Sequence, residues 1–149
     1  METVLNLVDI LPFAEPDRSV LQKLYLQVRQ ASFIWLDTSR FKLGAFDDDT
    51  KDELILVAKI GNKIVGFISA WIPDNFIHHL YVDNQYQHNG IGTKLLKEMV
   101  CRLQYPITLK CLKSNVSAIK FYERNQWHAK SEAVSEDGPY ILFELSGSS

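Results

Sequence analysis

The sequence predicts an α/β (α+β) domain: a mixed, mostly antiparallel central sheet flanked by helices. Three observations carry this expectation. Leu54–Ile60, Lys63–Trp71 and Phe76–Val82 are strand-length apolar runs in direct succession, parted only by turn residues. Residues 17–32 and 91–103 carry apolar side chains at helical spacing. A glycine-bearing loop, Gln87–Gly92, joins the third of those strands to the second of those helices.

Taken in order, Val4–Ile10 reads as a first strand closed by Leu11-Pro12. The helix from Asp17 to Ser32 presents Val20, Leu21, Leu24, Leu26 and Val28, with Asp17 or Ser19 available as a cap. Residues 33–52 read as irregular or short-helical and run into the acidic stretch Asp47-Asp48-Asp49, Asp52, Glu53, whose plain reading is a solvated loop. Gly61-Asn62 suits a tight hairpin turn, since both residues tolerate positive φ. Pro73-Asp74-Asn75 breaks the next strand. In the helix after the glycine loop, Ile91, Leu95, Leu96, Met99, Val100 and Leu103 form one buried face. Ile107–Cys111 is then a strand and Asn115–Asn125 a helix. Trp127–Val134 and Tyr140–Leu145 are a last strand pair around Asp137-Gly138-Pro139. One domain over residues 1–146, with a disordered Gly-Ser-Ser tail at 147–149, accounts for the whole length.

Composition narrows the function classes. The chain is 46% hydrophobic and 23% charged with a net charge of −2, ordinary for a soluble domain and unlike a nucleic-acid binder with a basic stripe. Cys101 and Cys111 stand ten apart outside any CxxC or Cys/His cluster, so they read as buried reduced thiols and no metal is expected. The first residues, with Glu2 and Asp9, lack the pattern of a secretion signal, and no apolar run is long enough to span a bilayer. A cytoplasmic protein without a membrane or nucleic-acid partner is the expectation.

The loop carries the chemistry. Gly90 and Gly92 allow positive φ and close backbone approach, and the free N–H groups of the following helix start favour an anion. A plain structural turn would use the same residues. Two nucleotide fingerprints fail. GxGxxG needs glycine where Leu95 stands, and the Walker pattern needs Lys directly after Gly92, where Thr93 stands.

A third pattern fits. Gln87-x-x-Gly90-x-Gly92, after a strand ending Leu80-Tyr81-Val82, resembles the acyl-CoA loop of the GNAT acetyltransferase superfamily. Asn115-x-x-Ala118-x-x-Phe121-Tyr122-Glu123, about 25 residues on, resembles that superfamily's second CoA segment. The sequence departs from the usual pattern at Gln126, where glycine is common, and at His88 and Asn89, where Lys or Arg is frequent. The loop therefore leans on backbone N–H groups, with Lys94 the nearest obvious cation.

The resemblance implies an N-acetyltransferase that moves an acetyl group from acetyl-CoA to a primary amine by direct attack in a ternary complex. It implies cofactor contacts from Leu80, Tyr81, Val82, Gln87, His88, Asn89, Gly90, Ile91, Gly92, Thr93, Asn115 and Tyr122. An N-cap is the plain alternative for Asn115, and a buried aromatic the plain alternative for Tyr122. In the family reading the Tyr122 hydroxyl protonates the departing thiolate. His78 and His79 are the candidate bases, with structural roles as the alternative. Strand alternation puts His78 with Leu80 and Val82, and His79 with Tyr81; a bulge would swap the faces. His78 is preferred, because some family members use a histidine at the corresponding site.

On the acceptor side the family geometry implies Phe33, Trp35, Asp37 and Trp71, with Phe41, Phe46, Asp74, Glu136 and Asp137 as further candidates. Aromatics with carboxylates suit a small amine or amino-acid-like acceptor. The competing functions are a CoA sensor without turnover and an acetyltransferase of protein or peptide N-termini. Homodimers are frequent in the superfamily, but nothing in the sequence specifies an interface.

Overall fold

The computed structural model describes residues 7–32 and 45–147. Its elements are β1 (Val8–Pro12), α1 (Arg18–Ser32), α2 (Ala45–Asp49), β2 (Leu54–Ile60), β3 (Lys63–Trp71), β4 (Phe76–Val82), α3 (Ile91–Val100), β5 (Ile107–Leu112), α4 (Val116–Arg124), β6 (His128–Ser135) and β7 (Gly138–Leu145). The seven strands form one sheet in the order β1-β2-β3-β4-β5-β7-β6. Every described ladder is antiparallel except β4 with β5. The predicted fold class is therefore the observed one.

β3 shows why the sheet is stable. All seven of its inner residues, Ile64 to Ala70, are buried, so the strand is covered on both faces. On one face Val65, Ile68 and Ala70 pack with Leu95, Leu96 and Met99 of α3. On the other, Ile64 and Phe67 pack with Leu21, Leu24 and Tyr25 of α1 and with Phe46 of α2. Leu21, Leu24 and Tyr25 have the i, i+3, i+4 spacing that puts three side chains on one helix face. Val20, expected on that face, is exposed, and so is Cys101, expected buried, because it lies just past the end of α3. Phe46, offered as an acceptor-side aromatic, is fully buried and belongs to the core.

Three boundaries differ from expectation for physical reasons. β1 runs through Pro12 rather than stopping before it. It is the sheet's edge strand, where a residue without an N–H breaks no ladder. The last hairpin turns on Glu136-Asp137, because Ser135 already pairs with Gly138. Gly147, expected in the tail, sits so near the Tyr105 ring that a Cβ would come within 2.9 Å of it, while 148–149 lie outside the described residues.

Two departures from regular pairing shape the site. β4 and β5 pair only at Phe76–Thr108 and Ile77–Leu109, then diverge. In β4, Ser69 pairs with His79 but Ala70 pairs with Ile77, so His78 is an extra, bulged residue.

Candidate active site

The divergence of β4 and β5 opens a cleft of about 180 Å³. His78, His79, Leu80 and Tyr81 line it from β4, and Lys110, Cys111 and Leu112 from β5. Asn115, Ala118 and Tyr122 close it from α4, and Asp137 reaches it from the last hairpin. Beyond Ile77 the β4 edge toward β5 lacks a strand partner, the arrangement that lets an extended ligand add as a strand.

Asn115, Ala118 and Tyr122 fall at i, i+3 and i+7, one face of α4, and that face is the cleft wall. Asn115 is the helix N-cap: its side chain accepts the Ala118 N–H at 3.3 Å. It lines the cleft at the same time. Tyr122 packs against Phe121, Trp127 and Phe143. Its hydroxyl makes no hydrogen bond among the described residues. Burial, with Cys111 and Tyr81 nearby, pushes it well above the usual phenol range, so it stays protonated. Burial also pushes the Cys111 thiol up, to about 11. Burial thus disfavours a thiolate here as it does a phenolate, so a thiolate generated in the cleft would be a ready proton acceptor.

Following β4 in the chain, the glycine loop has the geometry of an anion site. His88 has φ 69° and Gly90 φ 82°, and Gly90 is the N-cap of α3. The first helical hydrogen bond runs from Lys94 N–H to Gly90 C=O, which leaves the N–H groups at the helix start for a ligand. The side chains brace the loop itself. Gln87 Nε2 donates to Val82 C=O at 3.1 Å and to Asn84 Oδ1 at 3.0 Å, and Asn89 Nδ2 donates to Tyr86 C=O at 3.2 Å. Lys94 does not serve the loop; its Nζ donates to Val8 C=O on β1.

The other wall holds a polar cluster that local sequence patterns do not reveal. Because His78 is bulged, it does not join the Leu80 and Val82 face. Its ring lies beside that of His79, centroids 3.8 Å apart. His79 keeps the expected company of Tyr81. His78 Nδ1 is 2.9 Å from Glu53 Oε2. His79 Nδ1 is 2.9 Å from Ser69 Oγ and 3.8 Å from Glu53 Oε1. His79 Nε2 is 3.3 Å from the Tyr25 hydroxyl, which in turn donates to Asp49. The Glu53 side chain is only 6% exposed, and its Oε1 is buried without a hydrogen-bond partner. Burial pushes the carboxyl up, but its polar neighbours, the His78 hydrogen bond foremost, outweigh that and hold it at about 2. Burial above all pushes His79 below the ordinary imidazole range.

Glu53 is one of the residues the sequence does not point to: it closes an acidic run, and nothing in its neighbours marks it as buried. Glu53, His78 and His79 form the one group among the described residues whose donor atoms, all within 4.8 Å of each other, could hold a metal ion. In this structure Oε2 is engaged by His78 and the His79 Nδ1 by Ser69.

Of the acceptor-side residues, Trp71 ends β3 on the exposed rim and does not line the cleft. Asp74 and Glu136 are exposed, and Asp137 lines the cleft. Phe33, Trp35, Asp37 and Phe41 lie outside the described residues. Lys110, not anticipated, stands in the cleft between two rings, its Nζ 5.9 Å from the Phe76 centroid and 5.2 Å from that of Tyr140. No described helix is long and apolar enough to cross a membrane.

Comparison with known proteins agrees with this architecture. The fold is shared with apo YjaB from Escherichia coli, at TM-score 0.76 and 15% identity over 95% of this chain and 99% of the other. It is shared with a GCN5-related N-acetyltransferase from Rhodopseudomonas palustris, at TM-score 0.74 and 22% identity over 98% and 97%. It is shared too with the PaiA N-acetyltransferase of Thermoplasma acidophilum in complex with coenzyme A, at TM-score 0.72 and 18% identity over 91% and 97%. No curated protein sequence matches significantly. The profile of the Acetyltransferase (GNAT) family matches residues 20–126, from α1 through the glycine loop to the end of α4. By that match, which spans most of its length, the chain belongs to the GNAT acetyltransferase family.

Proposed function

We propose that the protein is an N-acetyltransferase that moves an acetyl group from acetyl-CoA to a primary amine in a ternary complex. One observation carries the reading: the cleft between β4 and β5 brings a protonated phenol, Tyr122, into the same space as an imidazole, His78. The pyrophosphate is taken by the N–H groups at Gly90–Thr93, and the pantetheine arm by the free edge of β4 at Leu80–Val82. The coenzyme bound to the Thermoplasma acidophilum neighbour supports this placement by analogy of fold.

The residues divide the chemistry. An ammonium of pKa about 10.4 costs roughly 4–5 kcal/mol to deprotonate at pH 7, so a proton acceptor is needed. His78 has the access for it: its side chain is 41% exposed, against 6% for His79. His78 takes the ammonium proton, and the neutral amine attacks the thioester carbonyl. The C–S bond breaks, and the leaving thiolate takes the Tyr122 hydroxyl proton. The nitrogen's second proton then restores the Tyr122 phenol. Cys111, protonated and buried, is unsuited to act as a nucleophile, which favours direct transfer over an acyl-enzyme.

The acceptor in this reading is a small amine with an amino-acid-like anionic group. Lys110 supports that: it sits in the cleft with no carboxylate partner among the described residues, positioned to meet an acceptor carboxylate. The test is release of free thiol from acetyl-CoA across a panel of amines, amino acids and peptides, with cofactor binding followed by calorimetry. Acetyl-CoA binding without thiol release on any acceptor would favour the CoA-sensor reading. Activity confined to peptide or protein N-termini would overturn the small-acceptor assignment.

A further inference from the structure

We propose that Glu53 is a positioning residue that makes His78, and not His79, the proton acceptor of the cleft. The proposal rests on the acetyltransferase reading above for its chemistry, but its core is a count of hydrogens.

The count starts at α2. The Asp49 carboxylate accepts from the Tyr25 hydroxyl, which spends its single hydrogen there. The Tyr25 oxygen can then only accept from His79 Nε2, 3.3 Å away, so Nε2 carries the hydrogen of that ring. Burial keeps His79 a neutral imidazole, which leaves Nδ1 as a lone pair. The Ser69 hydroxyl, 2.9 Å away, donates to it. Both nitrogens of His79 are thereby committed to the interior.

Glu53 makes the opposite assignment one residue earlier. As a carboxylate it can only accept, so His78 Nδ1, 2.9 Å from Oε2, carries the hydrogen. The lone pair falls on Nε2, across the ring from Glu53, on a residue that lines the cleft. The bulge is what makes this arrangement available, because it turns consecutive histidines toward the same carboxylate instead of opposite faces.

The unpartnered Oε1 gives Glu53 its second role. The carboxylate is buried, one oxygen lacks a hydrogen-bond partner, and that oxygen faces the His79 lone pair at 3.8 Å. The charge is thus only partly compensated while His78 is neutral. When the amine proton moves to His78 Nε2 and Nδ1–H stays in place, an imidazolium forms against the carboxylate and compensates it. Glu53 therefore fixes the ring's tautomer and stabilises the charge that the ring acquires, the same division of labour that a buried carboxylate performs beside a catalytic histidine elsewhere.

The test reads the tautomers directly. Histidine side-chain 15N–1H correlation NMR of the wild-type chain near pH 7.5, assigned with the His78→Ala variant, should show His78 protonated at Nδ1 and His79 at Nε2. His78 protonated at Nε2, or His79 at Nδ1, would overturn the proposal, and this readout needs no turnover. Glu53→Gln should lower kcat at least hundredfold with the KM for acetyl-CoA within about threefold, and should move the His78 hydrogen toward Nε2, because the amide can donate to Nδ1. Glu53→Asp should recover part of the lost kcat. A Glu53→Gln variant with wild-type kcat would sink the positioning role. Absence of turnover on every acceptor would overturn the acetyltransferase reading, and with it the proton-acceptor role, while the NMR would still decide the tautomers.

Discussion

The two walls of the candidate site are built in different ways. The glycine loop and α4 are contiguous pieces of chain: six residues from Gln87 to Gly92, and one helix face from Asn115 to Tyr122. Their chemistry comes from backbone conformation and helical periodicity. The opposite wall joins α1, α2, β3, β4 and the residue before β2 through side chains 10 to 54 residues apart in sequence. Its chemistry exists only once the sheet has closed. The first wall should therefore respond to local backbone changes with a loss of binding. The second should respond to single side-chain changes with a loss of rate, of stability, or of both.

The largest effect separates the two histidines of the second wall. His78→Ala should lower kcat by about a hundredfold or more while the fold survives, because the residue is half-exposed and general base catalysis contributes on the order of 10²–10⁴ in rate. His79→Ala should instead cost about 1–3 kcal/mol of stability, since it strips Ser69 and Tyr25 of a buried partner. Steady-state kinetics with thermal melts reads both. An unchanged pH–rate profile in His78→Ala would remove that residue from the mechanism. Next in size comes Tyr122→Phe, expected to lower turnover at least tenfold while acetyl-CoA binding stays nearly intact by calorimetry. It tests the first wall's one side-chain contribution to the chemistry.

The contrast also explains what the sequence could and could not tell. β2, β3 and β4 were legible because each is an apolar run bounded by turn residues, and α3 because its apolar spacing is regular. The glycine loop and the Asn115–Tyr122 face were legible for the same reason: they are local patterns that resemble a known family. The bulge at His78 was not, since it depends on how Ser69 and Ala70 pair across the sheet. Nor was the burial of Glu53 or of Phe46. Both sit in or beside the acidic run at 47–53, whose composition reads as solvated. Lys94 misled in the opposite direction. It follows the loop in sequence but turns to β1, because a helix places the fourth residue one turn along and its long side chain reaches the neighbouring strand.

A smaller effect tests whether the first wall grips by backbone alone. Gly90→Ala puts a side chain where φ is 82°, a strained conformation for any L residue, and should weaken acetyl-CoA binding about five- to tenfold. Gly92→Ala is the cleaner probe. A Cβ there would rest 3.5 Å from the Phe121 ring, an ordinary contact, so the fold should be undisturbed and any lost affinity belongs to the ligand. His88→Ala should change affinity less than twofold. If calorimetry finds His88→Ala as damaging as either glycine variant, the loop holds its anion through a side chain and the backbone account fails.

The smallest effect needs no substrate and isolates the second wall. Glu53 is held at about 2 in the fold, below its ordinary 4.5, so the unfolded chain binds its proton first as pH falls. Its stabilising contribution is complete above about pH 4.5 and is lost as pH drops toward 2. His79 is also depressed, so its contribution is complete above its ordinary 6.5 and declines as pH falls below that. The two losses have the same sign but occupy different ranges. Urea unfolding of the wild-type chain from pH 7 to 3 should show stability falling in both ranges. In Glu53→Gln the lower one should flatten while the upper one remains, because glutamine has no proton to gain. A parallel fall in both proteins between pH 4.5 and 3 would mean that the Glu53 carboxylate is not held in the fold by His78, and the cluster would lose its electrostatic rationale.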